Sequence, residues 1–413
     1  MSTHAHTAAS SAQIESTYAW LRLAAALALG TIGSIGMWSF VVTLPAVQAD
    51  FGIGRGEASL PYTLTMVCFG LGGIAMGRFA DRHGIVWPAT CGAVALGAGY
   101  VLSGFAGDIW QFALAQGLIG FGTSATFGPL MSDISHWFER RRGIAVAIAS
   151  CGNYLAGTLW PPIIQHFIAS EGWRATQIAI GILCVAAMLP LILCFRRPAP
   201  RHAGHEGGAP GAAAVGARAA LGVSSNTLMV LLCIAGLSCC VAMAMPQVHI
   251  VAYCADLGYG PARGAEMLAT MMGFGIISRI ACGLIADRIG GLQTLLLSSV
   301  LQGVALFLYL WFDGLASLYV ISALFGLFQG GLVPMYAVIV RHYFSPAETG
   351  FRLGIVLMAT LVGMALGGWM SGAIFDLTGS YAAAFLNGLL WNFLNVGIVV
   401  WLLMRPGRRL AQA

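Results

Sequence analysis

Apolar runs of about twenty residues, separated by short clusters of charge, glycine and proline, follow one another along the whole chain. Twelve can be drawn, at 20–47, 58–79, 86–106, 110–135, 143–169, 174–195, 225–252, 264–286, 291–312, 316–341, 350–375 and 381–404. Runs of ~20 residues are the length an α-helix needs to cross a ~30 Å hydrocarbon core, and they lack the short alternating pattern of barrel strands. The pattern predicts an all-α membrane protein with twelve transmembrane helices. Residues 20–197 and 225–404 read as two six-helix bundles, and 1–19 and 405–413 as polar tails. The stretch 198–224, rich in Gly, Ala and Pro, reads as a flexible linker. The first 18 residues lack the basic-then-apolar order of a signal peptide.

Arginine placement orients the helices. Sixteen arginines fall on the side that holds both chain ends and the linker, while only Arg55, Arg174 and Arg263 fall on the other. That bias predicts both termini in the cytoplasm and a place in the inner or plasma membrane.

Composition narrows the function classes. The chain is 58% apolar and 8% charged, against roughly 25% charged for a soluble domain, so a water-facing surface cannot be built from it. All 20 basic residues are arginine, which removes any lysine Schiff base. A net charge of +5 gives no sign of a nucleic-acid partner. The ten cysteines sit mainly inside apolar runs without CxxC spacing, as small packing residues. His202, His205 and Glu206 in the linker fit no zinc spacing. Gly120-Phe-Gly122 lies within an apolar helix and follows no strand; there, and in Gly73-xxx-Gly77, glycine is expected to serve helix packing. Neither a nucleophile elbow nor a phosphate loop is present, so no enzyme, cofactor or metal is predicted.

The chain repeats itself once. Gly77-Arg-Phe-Ala-Asp81-Arg82-His-Gly84 after the second run returns as Gly283-Leu-Ile-Ala-Asp287-Arg288-Ile-Gly290 after the eighth, the aspartates 206 positions apart. His136-Trp137-Phe138 and His342-Tyr343-Phe344 are separated by the same interval. Two parallel copies of six helices around a linker describe a transporter architecture. The Gly-x-x-x-Asp-Arg-x-Gly turn, used twice, resembles the signature loop of the major facilitator superfamily, and the resemblance spans essentially the whole chain. Ile85 and Val86 stand where that family often has basic residues. The resemblance implies a monomer that works by alternating access. In it, Asp81, Arg82, Asp287 and Arg288 latch helix ends on the inner side, Gly77 and Gly283 allow close approach, and Gly84 and Gly290 allow the turn.

Arg279 carries the substrate argument. It lies eight residues before Asp287, ~12 Å into the ~30 Å core. An unpaired arginine there costs at least ~2.5–3.5 kcal/mol, so it should face a wet cavity and an anion. No acid lies one helical turn away, and Asp133, at the inner end of the fourth run, is the nearest structural alternative. A guanidinium grips a carboxylate by two parallel hydrogen bonds, which makes a small organic anion the expected substrate. His249, in Pro246-Gln-Val-His249, can bond a carboxylate or carry a proton. Asn153, Tyr154 and Gln165, on a run bent by Pro161 and Pro162, should face the bundle interior. Trp38, Gln329 and Tyr336 would complete a polar and aromatic lining.

An arginine in the eighth run and a histidine in the seventh resemble the monocarboxylate and oxalate–formate branch of the superfamily, where Arg279 and His249 match positions used for the carboxylate. The sequence departs from that branch at Gly275 and Phe127, and it lacks the eleventh-run lysine of oxalate exchangers. The resemblance implies monocarboxylate transport driven by a proton or a counter-anion. Two other readings remain: export of a larger amphipathic or neutral compound, with Arg279 structural, and a non-transporting membrane receptor on the same fold.

Overall fold

The computed structural model describes residues 15–197 and 222–405. The 198–224 linker and both tails fall largely outside that range, as do His202, His205 and Glu206. Every regular element among the described residues is helical. In chain order they are α1 (Thr17–Gly33), α2 (Ile35–Phe51), α3 (Arg55–Ala58), α4 (Leu60–His83), α5 (Val86–Gly104), α6 (Ile109–Ser124), α7 (Gly128–Ser135), α8 (Arg142–Ser150), α9 (Gly152–Glu171) and α10 (Trp173–Ile192). After the linker come α11 (Ser225–Asp256), α12 (Pro261–Ile289), α13 (Gly291–Trp311), α14 (Leu315–Gln329), α15 (Leu332–Tyr343), α16 (Pro346–Thr378) and α17 (Tyr381–Met404).

Eleven of the described helical stretches are long and apolar enough to cross a membrane. The exception is the fourth run, which is broken into α6 and α7. Phe127, with φ −113° and ψ −86°, leaves helical geometry, and Pro129 in the first turn of α7 has no N–H to continue the ladder. The second copy is interrupted at the same place, where Gly330 and Gly331 separate α14 from α15. Local side chains close the helix ends. Asp108 accepts from the backbone N–H groups of Trp110 and Gln111 at the start of α6, and Ser380 accepts from that of Ala382 at the start of α17.

The chain forms two compact units. One runs to Phe51 and resumes from Leu64 to the linker; the other takes Gly52–Thr63 together with everything after the linker. Residues 52–63, which the hydropathy pattern assigns to the first bundle, are thus packed into the second unit. The first unit's core gathers Leu96, Tyr100, Ile119, Trp137, Phe138, Cys184 and Phe195. The second unit's core carries a set of buried amides. Asn392 donates to the Ser299 carbonyl at 3.0 Å, Asn395 to that of Ala235 at 2.7 Å, and Gln302 to that of Cys239 at 3.2 Å. These amides join α11, α13 and α17 by hydrogen bonds that lipid cannot replace.

Candidate functional site

In the first unit the structure brings Trp38 and Asn153 together. The indole Nε1–H lies 3.0 Å from both the backbone and the side-chain oxygen of Asn153. Tyr154 is buried beside it, and its carbonyl accepts from Thr158 at 2.8 Å. Gln165 is half-buried on the same helix. The bond from Trp160 Nε1 to the Thr31 carbonyl, 3.0 Å, ties α9 to α1 one stretch further along.

The charged turn of this unit opens on a cavity of about 630 Å³ whose lining includes Gly77, Asp81, Gly84, His136 and Arg196. A Cβ built on Gly73 or Gly77 would meet nothing within 4 Å. Helix packing, expected for Gly73-xxx-Gly77, is therefore not what these glycines serve here. The same is true of Gly283 in the second turn. Gly84 and Gly290 adopt φ +77° and +87°, a region in which side chains are strained, so glycine is the natural residue at both turns. Asp81, Arg82, Asp287 and Arg288 are all exposed. Within their own units none of them makes an ion pair among the described residues.

Asp133 does not turn to Arg140–Arg142, its neighbours in sequence. Its carboxylate accepts two 2.8 Å hydrogen bonds from Arg22, which is 1% exposed. The guanidinium is held between the rings of Trp137 and Phe195, at 4.7 and 4.8 Å, and it also donates to the Tyr18 hydroxyl and the Arg197 carbonyl. Asp133, the sequence's alternative partner for Arg279, is thus committed elsewhere.

In the second unit Arg279 is half-buried on α12, more than two turns from either end of its helix. The break after α14 crosses α12 on both sides of it in sequence, from Gly275 to Cys282. A Cβ on Gly330 would fall 2.5 Å from the Gly275 carbonyl, and one on Gly331 would fall 2.3 Å from Cys282 Sγ. This close crossing accounts for small residues around Arg279, including Gly275. Gln329 is fully buried at the end of α14. Tyr336 is also fully buried, and its hydroxyl accepts from Asn395 at 2.8 Å.

His249 is fully buried and belongs to a network that sequence reasoning missed. Its Nε2 lies 2.8 Å from the Gly368 carbonyl and its Nδ1 3.1 Å from the Tyr381 hydroxyl. Arg55 donates from Nη1 to that hydroxyl at 3.0 Å and forms a two-armed ion pair with Asp256, one arm of it Nη2 to Oδ1 at 3.1 Å. The guanidinium lies over the rings of Phe375 and Tyr381, at 4.1 and 5.3 Å. Asp376 accepts from the backbone N–H groups of Arg55 and Gly56, at 2.8 and 2.7 Å, and so fixes the start of α3. The sequence signal was thin: Arg55 was one of only three arginines against the charge bias.

Comparison with known proteins places the chain among membrane carriers. The sequence model of the Major Facilitator Superfamily matches residues 26–317 and 267–412. Monocarboxylate transporter 13 of Bos taurus is 26% identical over 382 residues, covering 91% of this chain and 86% of that protein. The MFS-type transporter pynF of Aspergillus niger is 24% identical over 396 residues, covering 94% and 89%. Among solved structures, the nucleoside transporter NupG superposes with a TM-score of 0.74 at 14% identity, covering 92% of this chain and 99% of that one, a likeness of fold alone.

Proposed function

The chain belongs to the Major Facilitator Superfamily, a membrane transporter and not an enzyme, and from that premise we propose that it moves a small organic anion, a monocarboxylate, by alternating access. One observation carries the reading: Arg279 is the only described arginine more than two turns from a helix end. Ionisable groups at that depth are costly and by default functional. A guanidinium recognises a carboxylate bidentately, so Arg279 is assigned as the clamp. The monocarboxylate transporters among the relatives support the same substrate class. His249, Asn153, Tyr154, Gln329, Tyr336 and Trp38 are assigned to the lining or its support.

The twin turns are assigned to gating, with Gly77, Asp81, Arg82 and Gly84 in one and Gly283, Asp287, Arg288 and Gly290 in the other. That Gly77 and Gly283 face open space supports this, since their close approach then belongs to another state of the cycle. Both termini are assigned to the cytoplasm, the protein to the inner or plasma membrane, and the working unit to a monomer. A proton or a counter-anion drives the flux.

The test is thermal stabilisation of the purified protein by a panel of mono- and dicarboxylates, repeated on Arg279→Ala. Stabilisation by a monocarboxylate that vanishes in the variant is the expected result. If no acid shifts the melt, or the variant responds as the parent does, the anion reading falls. Export of an amphipathic or neutral compound would then take its place, with the Trp38–Asn153 contact as the recognition element.

A further inference from the structure

The chain of hydrogen bonds from Arg55 to Gly368 has a fixed direction. Arg55 can only donate and the Gly368 carbonyl can only accept. Nε2 of His249 therefore carries a hydrogen toward Gly368, at 2.8 Å. The Tyr381 oxygen accepts from Arg55 at 3.0 Å, and its own hydrogen points to His249 Nδ1 at 3.1 Å. The arrangement requires neutral imidazole. A second ring hydrogen would place two donors face to face at Tyr381, and the hydroxyl hydrogen would have to leave for another acceptor.

Charges of both signs surround that extra proton. The charged and titratable groups around His249 are Arg55 on α3, Asp256 on α11, Asp376 on α16 and Tyr381 on α17, with Tyr253 of α11 against the Tyr381 ring at 5.4 Å. Tyr62 of α4 lies against Gly368, whose added Cβ would fall 3.0 Å from its ring. One arginine against two aspartates leaves the cluster one positive charge short. A proton on His249 would balance it. At the far end of the chain the Asp256 side chain is 35% exposed.

Resting on the carrier reading above, we infer that His249 is the binding site of the coupling proton, and that Tyr381 and Arg55 convert its charge into release of the Gly52–Thr63 segment. With imidazole neutral, Arg55 is held by Tyr381 and Asp256. With it protonated, Tyr381 no longer donates to the ring and a second cation faces Arg55. The latched arrangement is thus favoured while imidazole is neutral and lost as His249 takes up a proton.

The experiment is hydrogen–deuterium exchange on residues 52–63 of the purified full chain over a pH series from about 8 to about 4, corrected for intrinsic rates, so that both the neutral and the protonated imidazole are sampled. The parent should exchange roughly tenfold faster at the acid end, an ordinary coupling strength. His249→Gln, which keeps a donor and an acceptor but cannot charge, should respond little. Tyr381→Phe, which removes only the hydroxyl, should respond equally little and serves if the first variant does not fold. A flat parent, or a full response in both variants, overturns the proposal.

Radiolabelled pyruvate and acetate uptake into proteoliposomes with and without an inward proton gradient separates the two readings. Gradient-independent uptake with flat exchange removes the proton site and keeps the anion carrier. Acid-loosened exchange without uptake of either acid keeps the proton site and removes the anion.

Discussion

Arg22 and Asp133 meet through two parallel hydrogen bonds of 2.8 Å, Nε to Oδ2 and Nη2 to Oδ1, although 111 residues separate them. The aspartate is only 9% exposed. Removing one partner of such a pair leaves the other charge buried, at a cost of about 3–5 kcal/mol. Arg22→Gln and Asp133→Asn should each lower the melting temperature of the detergent-solubilised protein markedly. Arg22→Met with Asp133→Leu should recover much of the loss, because an apolar pair leaves no orphaned charge. Single variants that melt with the parent would show that the pair contributes little.

Arg279→Lys tests the geometry of the proposed clamp separately from its charge. Lysine keeps the cation but loses the planar fork, so monocarboxylate affinity should fall by about 1.5–3 kcal/mol, roughly ten- to a hundredfold. Titration calorimetry or concentration-dependent melting reads this directly. An unchanged affinity would mean that Arg279 acts as a point charge alone.

What the sequence could convey depended on how local each feature is. The helices, the repeat and the two turns were legible because hydropathy and turn chemistry act over a few residues. Gly84 and Gly290 were assigned to turns from their neighbours, and the backbone there has positive φ. Arg279 stood out because a lone charge in an apolar run needs no partner to be noticed. Arg22 and Arg55 were read as boundary arginines instead. Their burial is made by partners far along the chain, Asp133 for the first and Asp256 and Tyr381 for the second, the last two 201 and 326 residues from Arg55. No local pattern encodes that. The break at Phe127 was hidden for a different reason, since an apolar run looks the same whether its helix is continuous or interrupted.

Two glycines, both inside helices, should behave oppositely. At Gly77 a Cβ meets open space, whereas at Gly326 it would fall 1.9 Å from the Met271 carbonyl. Gly326→Ala should therefore destabilise by about 1–3 kcal/mol or more, because backbone rather than a flexible side chain must move. Gly77→Ala should leave the melt unchanged or raise it by about 0.5–1 kcal/mol, through helix propensity. If Gly77 serves gating, that same variant should slow transport. Measuring melt and flux on both variants separates packing from gating, and a destabilised Gly77→Ala with parental flux would place Gly77 with the packing glycines.

Asp376 offers a local test of how the Gly52–Thr63 segment is held. Its carboxylate accepts two backbone N–H bonds at the start of α3, where Gly54 and Gly56 let it come close: a Cβ on Gly54 would lie 2.8 Å from Oδ2. Asp376→Asn keeps the size but turns one acceptor oxygen into a donor NH₂ facing another donor. The loss should be about 1–2 kcal/mol, that of a charge-assisted cap. Because α3 is a single turn joined to the unit by few elements, the effect should appear as faster exchange at residues 52–59, with α13 and α14 unaffected. Exchange that rises uniformly through the second unit would mean that Asp376 supports the whole unit and not this segment.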